Sequence, residues 1–128
     1  MKEITTDQIS FINNIAYELD SKTLFTGYEV GYDSKDRLLF KHSYKDGKLD
    51  GPWMSFNEEG QLSMKILFKE GIQHGPEEVY YPNGQMKWKV NYNNGKKVGI
   101  LKEFTKSGKL DHEILYVDGV EQENISYN

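Results

Sequence analysis

Residues 51–74, GPWMSFNEEGQLSMKILFKEGIQH, are the unit from which this chain is built. The next block, residues 75–98, aligns with it without a gap, and residues 27–50 and 99–122 keep the same frame. Self-similarity at a fixed period of this length is the signature of a repeat architecture. We therefore predict four 24-residue repeats at 27–122, preceded by an N-terminal segment and half-repeat at 1–26 and followed by a C-terminal tail at 123–128.

The glycines mark the turns of each repeat. Eleven of the twelve fall on positions 1, 10 and 21, counting Gly51 as position 1. Position 10, as in Gly60 and Gly84, lies where a three-residue hairpin loop requires a left-handed residue before a bulge. Asp36 stands there in the first repeat, and Asp tolerates this conformation better than most residues. Each repeat is therefore predicted to be one β-hairpin, with a second turn at position 21 leading to the next.

The apolar residues of each repeat alternate with a period of two, as in strands. Positions 6 and 18 are aromatic in every repeat: Tyr32, Phe56, Tyr80 and Phe104, then Tyr44, Phe68, Tyr92 and Tyr116. We expect these rings to be the most buried large side chains, with the lysines of position 15 on the opposite face. The fold class predicted is all-β: an elongated, twisted antiparallel meander of about nine or ten strands.

The N-terminal residues are less regular. Thr6 or Asp7 is predicted to cap a short helix that carries Ile9, Phe11 and Ile12. Residues 15–19 alternate as a strand, and a turn at 20–22 leads into Phe25. We interpret this part as a half-repeat that pairs with the first full repeat.

Composition narrows the classes of function. The net charge is −4 with acids and bases interspersed, which predicts no nucleic-acid binding and permits a basic protein partner. The absence of cysteine excludes disulfides and thiolate metal sites. Without a signal-peptide pattern or a membrane-spanning apolar run, the expected location is the cytoplasm.

No residue pattern predicts catalysis, a cofactor or a metal ion. His42, His74 and His112 occupy three different repeat positions, so the repeat does not stack them into a ligand cluster. His42 and His112 are expected to be half-buried and hydrogen-bonded, and His74 to lie in a loop. The glycines lie between strands and open no helix, unlike a phosphate-binding loop. We therefore predict a non-enzyme.

Departures from the repeat consensus are candidates for partner binding, because repeats supply the scaffold. Trp53 (position 3) and Tyr81 (position 7) are large aromatics at sites that are otherwise mostly polar. Neighbouring acids would steer a basic partner toward them: Glu29, Asp33, Glu58, Glu59 and Glu77. The alternative for both aromatics is packing over a neighbouring repeat or the N-terminal segment, and Trp88 is expected in the core.

The pattern of glycines and aromatics resembles the MORN-repeat-variant family, as in Gly51-Pro-Trp…Phe56…Gly60-Gln-Leu62…Phe68-Lys-Glu-Gly71. Residues 19–27, LDSKTLFTG, are similar to the opening segment of the YwqK-type bacterial antitoxins of that family. The resemblance implies an antitoxin or immunity protein that binds a toxin domain directly. The alternative is a scaffold or membrane-proximal module using Lys41, Lys65 and Lys89, and an end strand could pair two copies into a homodimer.

Overall fold

The computed structural model describes residues 1–127, most of which lie in twelve strands. One short 3-10 turn, Thr6–Gln8, separates the first two strands. The strands are β1 Glu3–Thr5, β2 Ile9–Ile12, β3 Ile15–Glu18, β4 Gly27–Tyr32, β5 Leu38–Lys45, β6 Lys48–Phe56, β7 Leu62–Lys69, β8 Ile72–Tyr80, β9 Met86–Asn93, β10 Lys96–Phe104, β11 Leu110–Val117 and β12 Val120–Ser126. Residues 1–127 contain no helix long and apolar enough to cross a bilayer.

Ten of the strands form one sheet in the order β1-β4-β5-β6-β7-β8-β9-β10-β11-β12. Apart from β1, which runs parallel to β4, each strand is antiparallel to its neighbour in sequence. The predicted all-β meander of hairpin repeats is confirmed. Its accessible surface is 8092 Å², against about 7,000 Å² expected for a compact monomer of this mass. A single sheet with two open faces accounts for the excess.

Two kinds of turn alternate along the meander. In the first, represented by residues 57–61, the Asn57 N–H donates to the Gln61 carbonyl at 2.9 Å and Gly60 has φ +79°. The equivalent Asp36 also takes a left-handed conformation, with φ +59°, as predicted. The second is the two-residue Asp46-Gly47 turn, with φ +49° and +82°. Two successive positive φ values are typical of the type I′ turn, whose twist matches that of the flanking strands.

The repeats are joined by hydrogen bonds that recur every 24 residues. The N–H of each position-21 glycine donates to the carbonyl 22 residues earlier, as Gly71 does to Leu49 at 2.7 Å. Next to it, the position-24 side chain accepts a hydrogen bond from the backbone N–H 20 residues later. These pairs are Thr26 with Asp46, Asp50 with Glu70, and His74 with Asn94. His74 thus lies at the start of β8, beside the turn of the next repeat, and not in a loop.

A register shift beside each hairpin loop decides which side chains share a face. Phe56 pairs with Leu62, but the preceding Ser55 pairs with Met64, so β7 advances two residues while β6 advances one. Odd positions of the first strand therefore share a face with even positions of the second. Trp53 accordingly lies directly opposite Ile66. We call the face of positions 3, 5, 14, 16 and 18 the tryptophan face, and that of positions 2, 4, 15 and 17 the lysine face.

Burial follows this register and corrects one prediction. The largest fully buried side chains of residues 1–127 are Phe25 at 0% and Val90 at 1% exposure. Among the position-6 and position-18 aromatics only Tyr44 is buried; Tyr32 is 49% exposed and the rest are half-buried. The expectation that these rings are the most buried large side chains is wrong, because a single-layer sheet has no second layer to cover them.

The N-terminal prediction is wrong in part. Ile9, Phe11 and Ile12 lie in β2, which pairs with β3 in a separate two-stranded sheet. The strand beside β4 is β1, not β3. The hairpin instead contacts the first repeat through its backbone: the Ala16 N–H donates to the Gly47 carbonyl at 2.8 Å.

A small core holds this hairpin against the end of the large sheet. It consists of Ile9, Ala16, Phe25 and Tyr44, all at most 7% exposed. At the other end, β12 continues to Ser126 and so includes part of the predicted tail at 123–128. Residue 128 lies outside the described residues.

Candidate interaction surfaces

Position 3 on the tryptophan face carries the first polar cluster. Glu29 is 6% exposed and accepts hydrogen bonds from the Thr6 hydroxyl (2.5 Å), the His42 Nδ1 (3.2 Å) and the Tyr44 hydroxyl (3.2 Å). Burial works to raise the pKa of Glu29, but the hydrogen bonds from His42 and Thr6 outweigh it and hold that pKa below its ordinary value. Burial, together with the charge of Glu29, raises the pKa of Tyr44. Glu29 therefore links the N-terminal segment to the first repeat and is not exposed to a partner.

The imidazole of His42 is held between two aromatic rings. Its centroid lies 4.5 Å from that of Phe40 and 4.4 Å from that of Trp53, with 23° and 9° between the planes. An ionised Glu29 can only accept, so the Nδ1 of His42 carries the proton that it shares with Glu29. His42 is half-buried and hydrogen-bonded, as predicted. Trp53 thus packs across the junction of repeats one and two.

Glu77, the position-3 residue of the third repeat, has a similar internal role. Its two carboxylate oxygens accept from the Trp88 Nε1 and the Gln73 Nε2, each at 3.0 Å. Trp88 is half-buried on the same face. In repeats one and three, an acid at position 3 bonds to a ring nitrogen on the next strand, a signal that sequence reasoning missed.

Tyr81 lies at the start of a hairpin loop and contacts the following repeat. Its hydroxyl donates to the Phe104 carbonyl at 2.7 Å, and the Lys87 Nζ lies 5.6 Å from its ring centroid. In other repeats this position makes loop hydrogen bonds: Asn57 Oδ1 accepts from Glu59 and Gln61. The Tyr81 side chain does not accept these loop hydrogen bonds. In this loop the Asn83 Oδ1 is the acceptor instead, bonded to the Gln85 N–H at 2.9 Å.

The remaining predicted acids lie along the hairpin-loop edge. Asp33 accepts from the backbone and side chain of Arg37, contacts that lower its pKa. Glu58 and Glu59 are exposed at the tip of the second loop. The seven predicted partner-binding residues thus do not form one strip: Glu29, Trp53 and Glu77 lie mid-sheet, and Asp33, Glu58, Glu59 and Tyr81 lie at the loop edge.

On the lysine face, one row crosses the sheet through Lys41, Met54, Lys65, Glu78, Lys89, Lys102 and Glu113. Lys102 extends the lysine column predicted from sequence. Acids offset the row: Lys41 contacts Glu3 at 2.8 Å and Lys89 lies 3.9 Å from Glu78. The row therefore carries little net positive charge.

The chain's negative charge is concentrated at its C-terminal end. Residues 110–128 contain five acids and no Lys or Arg, so they account for −5, whereas residues 1–109 sum to +1. The five acids are Asp111, Glu113, Asp118, Glu121 and Glu123. Sequence reasoning considered only the net charge of the whole chain and missed this asymmetry.

Nothing in residues 1–127 groups three or more His, Asp or Glu side chains as a metal site would require. The third histidine, His112, is half-buried and bonded to the adjacent Asp111 at 2.9 Å, as predicted. An open hollow of about 500 Å³ lies between Phe11 of the N-terminal hairpin and Leu49 of the first repeat junction.

Comparison with known proteins gives one result. The sequence profile of a family described as "MORN repeat variant" matches residues 49–70, 73–94 and 97–118, which are 66 of the 128 residues. The matched segments correspond to the hairpins β6–β7, β8–β9 and β10–β11. No curated protein matches the chain.

Proposed function

The chain belongs to the MORN-repeat-variant family, and we propose that it binds a basic protein. The repeats of this family are generally non-catalytic modules that bind proteins or membranes. The most concrete form of the proposal is an antitoxin or immunity protein that acts in the cytoplasm by covering a toxin domain. The family supports binding in general. The antitoxin role rests on the similarity of residues 19–27 to antitoxin openings.

The observation that carries the choice of a basic partner is the distribution of charge. The last 19 residues hold a net −5 while the rest of the chain is close to neutral. Such a one-signed region attracts an oppositely charged partner and speeds its association. Glu58 and Glu59, exposed on the second hairpin loop, are a second acidic place for such a partner to contact.

A membrane-proximal module is the second candidate, and the lysine row favours it. The row offers Lys41, Lys65, Lys89 and Lys102, but Glu3, Glu78 and Glu113 lie beside or between them. Anionic lipids attract clusters of unpaired basic residues. Here the neighbouring acids and the net charge of −4 weaken the attraction between the lysine row and such lipids. Sedimentation with liposomes that contain anionic lipid tests this candidate; binding that depends on Lys65 and Lys102 would favour it.

The antitoxin proposal predicts that a neighbouring gene encodes a toxin domain, and it is tested by expressing that domain together with the chain and scoring growth. We expect growth to be restored and the two polypeptides to purify as one complex. A folded, well-expressed chain that neither restores growth nor copurifies would contradict the proposal. A chain that lacks residues 110–128 is a poor control, since their removal would expose β10, so charge-reversal variants are preferable.

A further inference from the structure

The two edge strands of the large sheet differ in length and in how far they are covered. At the N-terminal end the edge strand β1 has only three residues, and the β2–β3 hairpin packs beside it. Short or covered edges prevent unwanted strand pairing. At the other end, β12 has seven residues, each exposed, and no strand of residues 1–127 pairs with its outer side.

The hydrogen-bonding groups available on β12 can be identified. The Tyr127 N–H donates to the Asp111 carbonyl at 2.7 Å, so Tyr127 is a hydrogen-bonded partner of β11. Because such pairs alternate in antiparallel sheets, Glu123 and Ile125 also bond to β11. The N–H and C=O groups of Asn124 and Ser126 therefore point away from the sheet, available to another strand.

The side chains beside this edge select the chemistry of the added strand. On the lysine face, Glu113 and Glu123 flank a hollow of about 120 Å³ formed with Ile100, Leu115 and Ile125. Ile100 and Ile125 are 50% and 44% exposed. A Lys or Arg side chain suits this arrangement, because its stem can lie on the isoleucines while its charged end reaches the carboxylates.

We infer that β12 is a strand-addition site for an extended, basic segment of the partner protein. The inference rests on the proposed function and specifies how the partner docks. Main-chain hydrogen bonds to Asn124 and Ser126 would supply affinity, and alternate basic side chains facing Glu123 and Glu113 would supply specificity. Pairing with a second copy lacks this complementarity, because β12 carries Glu121 and Glu123 and no Lys or Arg.

The test uses a seven-residue peptide that alternates Lys and Thr, with a Glu/Thr peptide as the control. On adding the Lys/Thr peptide, amide exchange should slow at Asn124 and Ser126, whereas Glu123 and Ile125 are already bonded. The Glu/Thr peptide should leave all four unchanged.

Asn124→Pro removes an outward N–H without breaking a bond to β11, since proline is tolerated at such edge positions. It should weaken peptide binding about tenfold or more, whereas Asn124→Ala should bind like the wild type. Should Asn124→Pro disturb β11, the double variant Glu121→Lys/Glu123→Lys keeps the backbone intact. It should prefer the Glu/Thr peptide.

Unchanged binding by Asn124→Pro, or peptide-induced changes confined to other strands, would overturn the inference. Slow amide exchange at Asn124 and Ser126 in the absence of peptide would also overturn it. Such protection would mean that a second copy or a further segment of the chain already covers β12. The outcomes also separate the two proposals. If the toxin domain binds wild type and Asn124→Pro equally, the protein-binding function stands and strand addition fails. If it binds neither while the Lys/Thr peptide binds β12, the antitoxin role fails alone.

Discussion

The indole of Trp53 lies parallel to the imidazole of His42, with 4.4 Å between ring centroids and 9° between planes. Trp53 belongs to the second repeat and His42 to the first, so the stack spans the junction of two units. Phe40 stacks on the other face of the imidazole, and Glu29 bonds to its edge through Nδ1. A residue that departs from the repeat consensus thus packs two neighbouring repeats together.

Replacing Trp53 by alanine should lower the free energy of unfolding by about 2–3 kcal/mol, less than for a fully buried tryptophan because the ring is half-buried. Trp53→Phe keeps a ring over His42 and should cost less than about 1.5 kcal/mol. Urea denaturation followed by circular dichroism gives both values. Equal stability of Trp53→Ala and the wild type would mean that the stack contributes nothing.

Glu29 should make the protein sensitive to acid. Its folded-state pKa lies below the ordinary value of 4.5, so its stabilising effect is complete above about pH 4.5 and is lost as the pH falls through the lowered folded-state pKa. Glu29→Gln should cost about 1–3 kcal/mol at pH 7, because a charged acceptor is lost. The difference between wild type and variant should shrink below pH 4.5. A difference that stays constant from pH 7 to pH 3 would argue against this role.

Gly84 tests the backbone of the hairpin loop separately from packing. Its φ is +87°, and a Cβ placed on it would have no atom within 4 Å, so any cost of substitution comes from the conformation. Gly84→Val should destabilise by about 1–3 kcal/mol, and Gly84→Asn by much less. Asp36→Gly, at the equivalent position, should be neutral or mildly stabilising. Thermal unfolding distinguishes these cases; a valine variant as stable as the asparagine variant would contradict the assignment.

The repeat and its turns were predictable because both follow from local sequence. The 24-residue spacing of glycines fixed the hairpin boundaries, and the left-handed requirement at Gly84 and Asp36 follows from residue chemistry alone. These features depend on a few neighbouring residues and need no knowledge of what packs against the sheet.

The assignment of faces was not predictable in the same way. Strict alternation puts Trp53 and the aromatic at position 6 on opposite faces of the sheet, which is correct. It also puts the aromatics of positions 6 and 18 on the same face, which is wrong. The register shift between Ser55 and Phe56 breaks that link. Tyr80 instead lies beside Glu78, and burial and this carboxylate raise its pKa. A one-residue shift moves a whole strand to the other face.

The internal roles of Glu29 and Glu77 depend on cross-strand contacts and were also not predictable. In sequence these acids look like surface charges, and only pairing brings them to His42 and Trp88. At the N-terminus, by contrast, a signal was present. Asn13 and Asn14 both take positive φ, +51° and +64°, and such a pair between apolar residues indicates a type I′ hairpin and not a helix end.

Binding of a basic partner at the acidic C-terminal end is the central claim, and titration calorimetry with the toxin domain encoded beside the chain tests it most directly. Glu121→Lys/Glu123→Lys should weaken binding about tenfold or more at low salt, and the effect should diminish near 0.3 M salt because of screening. The matched control, Glu58→Lys/Glu59→Lys, changes charge equally at the distant hairpin loop and should have a smaller effect. Absence of binding by the folded wild type, or equal effects of the two reversals, would contradict the account.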